Sequence, residues 1–360
     1  MKLIDRYIIK RLFFMLLSVL LAFVALYAVF DMLSESGNVG KAQYTVGTLL
    51  HYMLWRLPVY VYEIFPVAVL TAALITLTRL SSASEYVVMR ACGMSMKRIV
   101  GVLSVFALLC AAANMIVGEK ILPAAYQHAD RVAYNALHGK NAVLNTDGGV
   151  WLKSGNDMAQ VGSMLPNGEL KDITLYHLND DYRLNGLTYA KTAQHIDNGQ
   201  WQLFQVEESQ LSDDKTLFRQ PESMVWQSNI TPDLLGVLIA KPEQMSSMAL
   251  NAYIHHLKEN GQRTLSYEVA RWRKIFYPFA ALSMVLIALA FTPVIARHSN
   301  MGLRIFLGMC LGVGFHFLGR FFSFYAELFR MPPFMAGAMP VLLFLMVAIF
   351  AVFHTQKRKA

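Results

Sequence analysis

Six long apolar stretches restrict this chain to folds that can exist within a lipid bilayer. A helix that spans a bilayer needs about 20 predominantly apolar residues. The stretches are residues 12–30, 57–78, 99–118, 275–296, 305–319 and 331–356. The second contains Glu63, and the short fifth extends to Arg304 and Arg320 at its edges. With 55% hydrophobic and 16% charged residues, the sequence predicts a polytopic α-helical membrane protein with six transmembrane helices.

The first stretch is predicted to be a retained anchor. Its apolar run exceeds the roughly 7–15 residues of a signal peptide, and residues 30–35 offer no small-residue cleavage site.

Lysine and arginine residues are concentrated on one side of these stretches. They are Lys2, Arg6, Lys10 and Arg11 at the start, Arg79, Arg90, Lys97 and Arg98 between stretches two and three, Arg297 and Arg304 between four and five, and Lys357, Arg358 and Lys359 at the end. The short loops on the opposite side have little positive charge: Lys41 between stretches one and two, and Arg330 between stretches five and six. The positive-inside rule therefore predicts that both termini are cytoplasmic. This bias accounts for most of the net charge of +8, and it gives no reason to expect a nucleic-acid partner.

A polar region separates the two groups of three stretches. Residues 124–137 are predicted to form an amphipathic helix that continues the third span outward, and short strand patterns follow from about residue 143. Hairpin turns are expected at Asp147-Gly148, Asn167-Gly168 and Asn198-Gly199. We predict an all-β sandwich or open barrel on the non-cytoplasmic side. The resulting domains are residues 1–122, 123–266 and 267–360.

Residues 81–98 lie between the second and third stretches and have the pattern of a capped helix. Ser82 and Glu85 fit a capping box, Gly93 suits the left-handed position at a helix end, and Ser95 is placed to cap the third span. The helix is predicted over about residues 82–93. It either rests on the bilayer surface or docks into a groove of a cytoplasmic protein.

Residues 84–95, Ser-Glu-Tyr-Val-Val-Met-Arg-Ala-Cys-Gly-Met-Ser, resemble the coupling-helix segment of the LptF/LptG permeases, the membrane subunits of the bacterial lipopolysaccharide-export ABC transporter. Further resemblance extends over nearly the whole chain. It includes Asp5-Arg-Tyr-Ile, Thr231-Pro-Asp-Leu-Leu-Gly, Trp272-Arg-Lys-Ile-Phe-Tyr-Pro and Met331-Pro-Pro. The first three of these segments are more similar to the LptG branch than to the LptF branch.

The resemblance implies a multi-pass protein of the bacterial inner membrane with an inserted periplasmic, jellyroll-like β-domain. It also implies four partner proteins: a sister LptF-type permease, a dimeric cytoplasmic ATPase, a periplasmic bridge protein and a single-span LptC-type subunit. The coupling residues it implies are Ser84, Glu85, Tyr86, Val88, Met89, Arg90 and Gly93. The sequence has no Gly-x4-Gly-Lys-[Ser/Thr] phosphate loop. We therefore expect no enzymatic activity and no cofactor or metal on this chain, with ATP and Mg²⁺ held by the ATPase.

Lipopolysaccharide has a phosphorylated head and several acyl chains, so its path needs basic residues near the outer membrane face and an apolar cavity below them. The basic candidates are Lys41, Arg56, Lys120, Arg131, Arg320 and Arg330, and the aromatic candidates for the cavity are Phe65, Phe317 and Phe321. Asp31, which the resemblance retains at the outer end of the first span, is a further candidate. Each basic residue is alternatively an interfacial anchor, and each aromatic residue alternatively packs between spans. The chain departs from the family at Ser34 and Glu35, where lysines occur in some members.

Other features leave alternatives open. Gly308 and Gly312 allow close helix packing, either with the partner permease or within this chain. His255 and His256 are expected to be solvated. A permease for another lipid or lipoprotein, or a membrane-anchored assembly or sensor protein, is the alternative function.

Overall fold

The structure, a computed structural model, describes most of the chain. It covers residues 3–138, 144–154, 157–164, 169–179, 183–196, 200–212, 215–228, 242–259, 261–292, 301–329 and 331–357.

Among the described residues, six helical segments are long and apolar enough to cross a membrane, which confirms the predicted spans. They are Leu3–Asn38, Val46–Ser82, Met96–Leu137, Leu265–Ala290, Ile305–Phe329 and Pro333–Phe353. The helices that form and connect them are α1 (Leu3–Glu35), α2 (Val46–Ser82), α3 (Glu85–Ala91), α4 (Met96–Ile116), α5 (Leu122–His138), α6 (Ser247–Glu259), α7 (Leu265–Phe276), α8 (Ala280–Ala290), α9 (Met301–Phe329) and α10 (Pro333–Lys357).

The third span continues beyond its apolar stretch, as predicted. A π-helical turn at Val117–Ile121 joins α4 to α5. Within this turn, a Cβ atom on Gly118 would lie only 2.5 Å from the Tyr62 ring. Glycine is therefore what allows this helix to lie against α2.

The fourth span extends ahead of its apolar stretch, to within two residues of the predicted domain boundary at residue 267, and it is interrupted. It starts at Leu265 in α7, passes through a 3₁₀ turn at Tyr277–Phe279 and resumes as α8. Pro278 lacks an amide hydrogen and cannot continue the α-helical ladder, which explains the interruption. Residues 293–296 of the predicted span lie outside the described residues.

The inserted region is all-β among its described central residues, as predicted. Its strands are β1 (Leu144–Ser154), β2 (Asp157–Met164), β3 (Leu170–Leu178), β4 (Leu184–His195), β5 (Gln200–Ser212), β6 (Lys215–Arg219) and β7 (Ser223–Gln227). They form one antiparallel sheet in which β1 to β6 follow each other in sequence order, and β7 pairs with β5. The second half of β5 pairs with β6 and its first half with β7. A two-sheet jellyroll closure stays a prediction.

One predicted hairpin turn is wrong. Asp147-Gly148 lies inside β1, where the register with β2 shifts between Asn145 and Val150. An irregular strand rather than a turn accommodates the glycine there. The other two predicted turns lie outside the described residues.

The chain divides into two compact units. The first contains Met1–Gly37, Leu50–Ala129 and Leu265–Ala360, and the second contains Asn38–Leu49 and Asp130–Thr264. Large apolar side chains from α2 and α4, among them Leu70 and Phe106, are fully buried in the first unit. Burial is uneven among its spans: 72% of the apolar segment of α2 is buried within the chain, against 17% for α1 and 22% for α9.

The second unit has a core of its own. Trp201, Ile173 and Leu203 are fully buried in the sheet. The helix α6 precedes Gly261, which has a φ of 62°, and it buries His256. The expectation that both histidines are solvated is therefore wrong for His256 and correct for His255.

Candidate functional site

Two residues, Ala83 and Ser84, separate the end of α2 from the start of the short helix α3. Its N-cap residue is Ser84, which has a φ of 59° and makes no side-chain cap hydrogen bond. The predicted capping box is wrong, because α2 continues through Ser82 and makes Ser82 the last residue of the preceding helix. The Ser82 hydroxyl donates instead to the carbonyl of Arg79, at 3.0 Å.

The other end of α3 agrees with the sequence prediction. Gly93 has a φ of 85°, and its amide donates to the Arg90 carbonyl at 3.1 Å. Ser95 caps α4, because its hydroxyl accepts from the Arg98 amide at 3.3 Å. The segment is therefore a tightly bounded helix of seven residues, shorter than the predicted residues 82–93.

The carboxylate of Glu85 is held within the chain by α1. The Arg11 guanidinium donates to both carboxylate oxygens, at 3.1 and 3.2 Å, and the Tyr7 hydroxyl donates to one of them at 2.9 Å. Both charged side chains are partly exposed, so the pair contributes at most about 1 kcal/mol of stability. The sequence analysis missed Tyr7 and Arg11, because no local pattern links residues more than 70 positions apart.

The predicted coupling residues differ in exposure. Ser84, Val88 and Arg90 are not buried, and Met89 is half-buried. Val87, which the sequence analysis did not select, is also exposed. This face of α3 is therefore partly apolar and carries one cation.

Tyr86 does not belong to that exposed face, contrary to its selection as a docking residue. Its side chain is buried in the core of the first unit, and its hydroxyl lies 3.5 Å from the sulfur of Met96. Burial raises the pKa of Tyr86. Tyr86 therefore anchors α3 to α4, and its role in coupling stays a prediction.

A second ion pair joins the starts of α1 and α4. The Arg98 guanidinium donates to both oxygens of Asp5 at 2.9–3.1 Å, and Asp5 is buried. Bidentate arginine–carboxylate pairs fix orientation as well as distance. Together with the Arg11–Glu85 pair, this contact connects the first span to both ends of the α3 segment.

A polar cluster lies between α1 and α2, towards the opposite end of the first span. It brings together Asp31 and Arg56, both predicted as substrate-binding residues. The Arg56 Nε atom is 3.9 Å from Asp31, and its Nη1 atom donates to the Tyr52 hydroxyl at 2.8 Å. The Tyr60 hydroxyl donates to Asp31. Three tyrosine rings surround the Arg56 guanidinium, with centroids 5.4, 5.5 and 6.0 Å away.

Glu63 extends this cluster towards α5. It accepts hydrogen bonds from Tyr27 at 2.8 Å and from Tyr126 at 3.3 Å. The tyrosine hydroxyls thus solvate two carboxylates at a depth where water is scarce, a condition for charges within a bilayer. The sequence analysis named Glu63 but missed the tyrosines, which are scattered over three helices.

The other basic candidates are more accessible. Lys41 and Arg131 are not buried in the second unit, where Lys41 donates to the Asn38 side chain at 3.1 Å. Lys120 and Arg320 are exposed in the first unit, and Arg330 lies outside the described residues.

The aromatic candidates fall into two groups. Phe317 and Phe321 on α9 are 69% and 56% exposed, so they present an open apolar surface. Phe65 is 7% exposed and packs in the core of the first unit. Phe65 therefore packs between spans, which is the alternative that the sequence left open, and its role in substrate binding stays a prediction.

The glycine pair on α9 packs within this chain. A Cβ atom on Gly308 would overlap the Leu74 side chain, and one on Gly312 would lie 2.8 Å from a Val67 methyl group. Leu74 and Val67 belong to α2. Of the two alternatives that the sequence left open, the structure shows packing within this chain, and a contact of Gly308 and Gly312 with a partner permease stays a prediction.

Comparison with known proteins adds a family assignment for nearly the full length. The model of the family "Lipopolysaccharide export system permease LptF/LptG" matches residues 6–353. The chain is 31% identical over 349 residues to the lipopolysaccharide export system permease protein LptG of Escherichia coli strain K12, covering 96% of this chain and 97% of that protein. It is also 31% identical to the protein of the same name from Haemophilus influenzae, with 96% of each chain covered.

Proposed function

Because the chain belongs to the LptF/LptG family of lipopolysaccharide export permeases, we propose that it is the LptG-type permease subunit of an ABC transporter. It extracts lipopolysaccharide from the bacterial inner membrane. It then passes the lipid through its β-sheet unit to a periplasmic bridge that leads to the outer membrane.

The observation that carries this proposal is the full-length family match together with the geometry of α3. This helix is anchored by buried Tyr86 and by the Arg11–Glu85 pair, while Val87, Val88 and Arg90 remain accessible. A surface with exposed valines beside a cation is more favourable when it is bound in a groove of another protein than when it faces water. It is therefore the docking site for a cytoplasmic ATPase.

Energy for transport comes from that separate, dimeric ATPase, which holds ATP and Mg²⁺. The absence of a phosphate loop from the full sequence supports this division of labour. The basic residues that flank the spans support a cytoplasmic position for both termini and α3. The β-sheet unit is then periplasmic.

The sister LptF-type permease and the acyl chains of the substrate cover the exposed spans. Both α1 and α9 leave most of their apolar segments unburied within this chain. Phe317 and Phe321 on α9 provide apolar contacts for acyl chains, with Arg320 beside them for an anionic group. A single-span LptC-type subunit and the bridge protein complete the assembly.

Arg56 and Asp31 have a positioning role in this proposal. The Arg56 guanidinium is enclosed by three tyrosine rings and lies beside Asp31, so it holds α1 against α2. The accessible side chains of Lys41 and Arg131 are more available for lipid phosphates. Their use would offset the acidic Glu35 at a position where family members can have lysine.

The proposal is tested with Glu85→Ala in the purified complex. We expect weaker ATP-driven lipid release, because the variant removes both a contact for the ATPase and the ion pair with Arg11. Arg11→Ala is the matched control, since it breaks the internal tie and leaves the Glu85 carboxylate available. If Glu85→Ala leaves both ATPase assembly and lipid release unchanged, the coupling assignment is wrong.

A further inference from the structure

A cavity of about 570 Å³ opens between α1 and α2 at the end of the first unit where the chain begins. Its wall includes Lys10, Arg11 and Arg79, with Phe14, Met15 and Thr76 further along the two helices. The cavity is separate from the Asp31–Arg56 cluster, which lies near the other end of α1.

The cavity has an excess of positive charge. Arg11 is paired with Glu85. By contrast, neither Lys10 nor Arg79 has a carboxylate within ion-pair distance among the residues that the structure describes. Lys10 has only a cation–π contact with Phe14, at 5.9 Å. Two cavity-lining cations, one on each helix, that have no counter-ion within the described part of the chain favour an anionic ligand.

The lining of the cavity changes from cationic to apolar along its length, as a phospholipid changes from its phosphate to its acyl chains. Lys10 and Arg79 lie nearer the ends of their helices, and Phe14 and Met15 follow one helical turn after Lys10, further into the apolar part of α1. Lys10 and Arg79 mark the point where the apolar segments of α1 and α2 end, which is where lipid phosphates lie in a bilayer.

The buried hydroxyl of Thr76 independently indicates a ligand in this cavity. Its side chain is 4% exposed, and its hydroxyl has no hydrogen-bond partner within the described part of the chain. Threonine in a helix commonly bonds the carbonyl four residues earlier, as Thr71 does with Val67 at 2.8 Å. Buried hydroxyls are normally paired, so the Thr76 hydroxyl in the cavity wall lacks an acceptor that a ligand oxygen would supply.

We propose that this cavity binds one anionic phospholipid of the membrane leaflet that faces α3. The phosphate lies between Lys10 and Arg79, an ester or glycerol oxygen accepts from Thr76, and an acyl chain covers Phe14 and Met15. A free phosphate ion would leave the apolar part of the cavity uncovered, so a lipid matches the whole wall. The site does not depend on the transport function proposed above.

The proposal predicts that the purified full-length chain retains a phosphatidylglycerol molecule in preference to phosphatidylcholine. Native mass spectrometry during titration with either lipid, with the chain in its co-purified assembly, measures the dissociation constants. In Lys10→Gln/Arg79→Gln, affinity for phosphatidylglycerol should fall about 30-fold, since each cation near an anionic lipid contributes roughly a fivefold change. In Thr76→Val, which is nearly isosteric, the loss should be about two- to tenfold.

The matched control is Arg6→Gln/Lys97→Gln. It removes two exposed cations from the same end of the chain but leaves the cavity wall intact. We expect it to change the affinity less than threefold or so, within the range of general surface electrostatics. An equal loss in both double variants would overturn the proposal, because binding would then reflect net charge alone.

Three other results would also overturn it: no preference for phosphatidylglycerol, displacement of the lipid by excess inorganic phosphate, or no lipid bound because a helix of the sister permease fills the cavity. Retention of full affinity by Thr76→Val would exclude the placement of the lipid oxygen at that hydroxyl. The elution profile of each variant on size exclusion checks that it is folded.

Discussion

Gly312 provides the sharpest test of how the spans pack. A Cβ atom there would lie 2.8 and 3.1 Å from the two Val67 methyl carbons and 3.2 Å from the Val67 Cβ atom. Because Val67 is β-branched, it has few rotamers into which to retreat. In Gly312→Ala, α9 must therefore move away from α2 by about half an ångström to restore ordinary carbon–carbon distances.

Overpacking of this kind costs about 1–3 kcal/mol. It should lower the thermal midpoint of the detergent-solubilised chain by about 2–6 °C, as measured by the loss of its monodisperse elution peak. Gly314→Ala is the control on the same helix, because a Cβ atom on Gly314 would have nothing within 4 Å of it. We expect no loss there, since alanine is the better helix former.

A double variant connects the effect to its cause. Val67→Ala in the Gly312→Ala background makes room for the new methyl group, so the two changes together should cost at least about 1 kcal/mol less than their sum. Equal midpoints for Gly312→Ala and Gly314→Ala, or strict additivity with Val67→Ala, would refute the packing of this glycine against α2.

Three further predictions concern stability. Burial lowers the pKa of His256, and attraction by Glu259 opposes this shift. As the pH falls, the unfolded chain therefore binds a proton at this residue before the folded chain does, and the stability should fall below about pH 6.5. In His256→Gln, the thermal midpoint should depend less on pH. Asp5→Asn weakens the pair with Arg98 and should cost about 1–3 kcal/mol in the same assay. Trp201→Ala, in the sheet core, should cost about 3–5 kcal/mol in denaturant unfolding.

The six spans were predictable because each is a continuous apolar segment whose signal does not depend on the rest of the chain. The π-turn at Val117–Ile121 left the third span continuous, so the outward extension was also predictable. The start of the fourth span at Leu265 lies two residues before the predicted domain boundary at residue 267, although α7 is amphipathic and lies outside the apolar stretch of residues 275–296.

The errors share a physical cause. Ser82 and Glu85 match a local cap pattern, but α2 continues one turn beyond its apolar segment, so Ser82 belongs to α2 and cannot cap α3. Gly308 and Gly312 indicate close approach by some helix, and the sequence does not specify which helix. Contacts such as Arg11 with Glu85 join distant parts of the chain, so no local signal identifies them.

The central claim is that this chain couples an external ATPase to lipopolysaccharide export. The most direct measurement is affinity purification of the full-length chain from its native membranes, followed by mass spectrometry of the proteins and lipids that accompany it. We expect a cytoplasmic ATPase, a second permease of the same family and lipopolysaccharide. Recovery without any ATPase, or with a different class of lipid in place of lipopolysaccharide, would contradict the account.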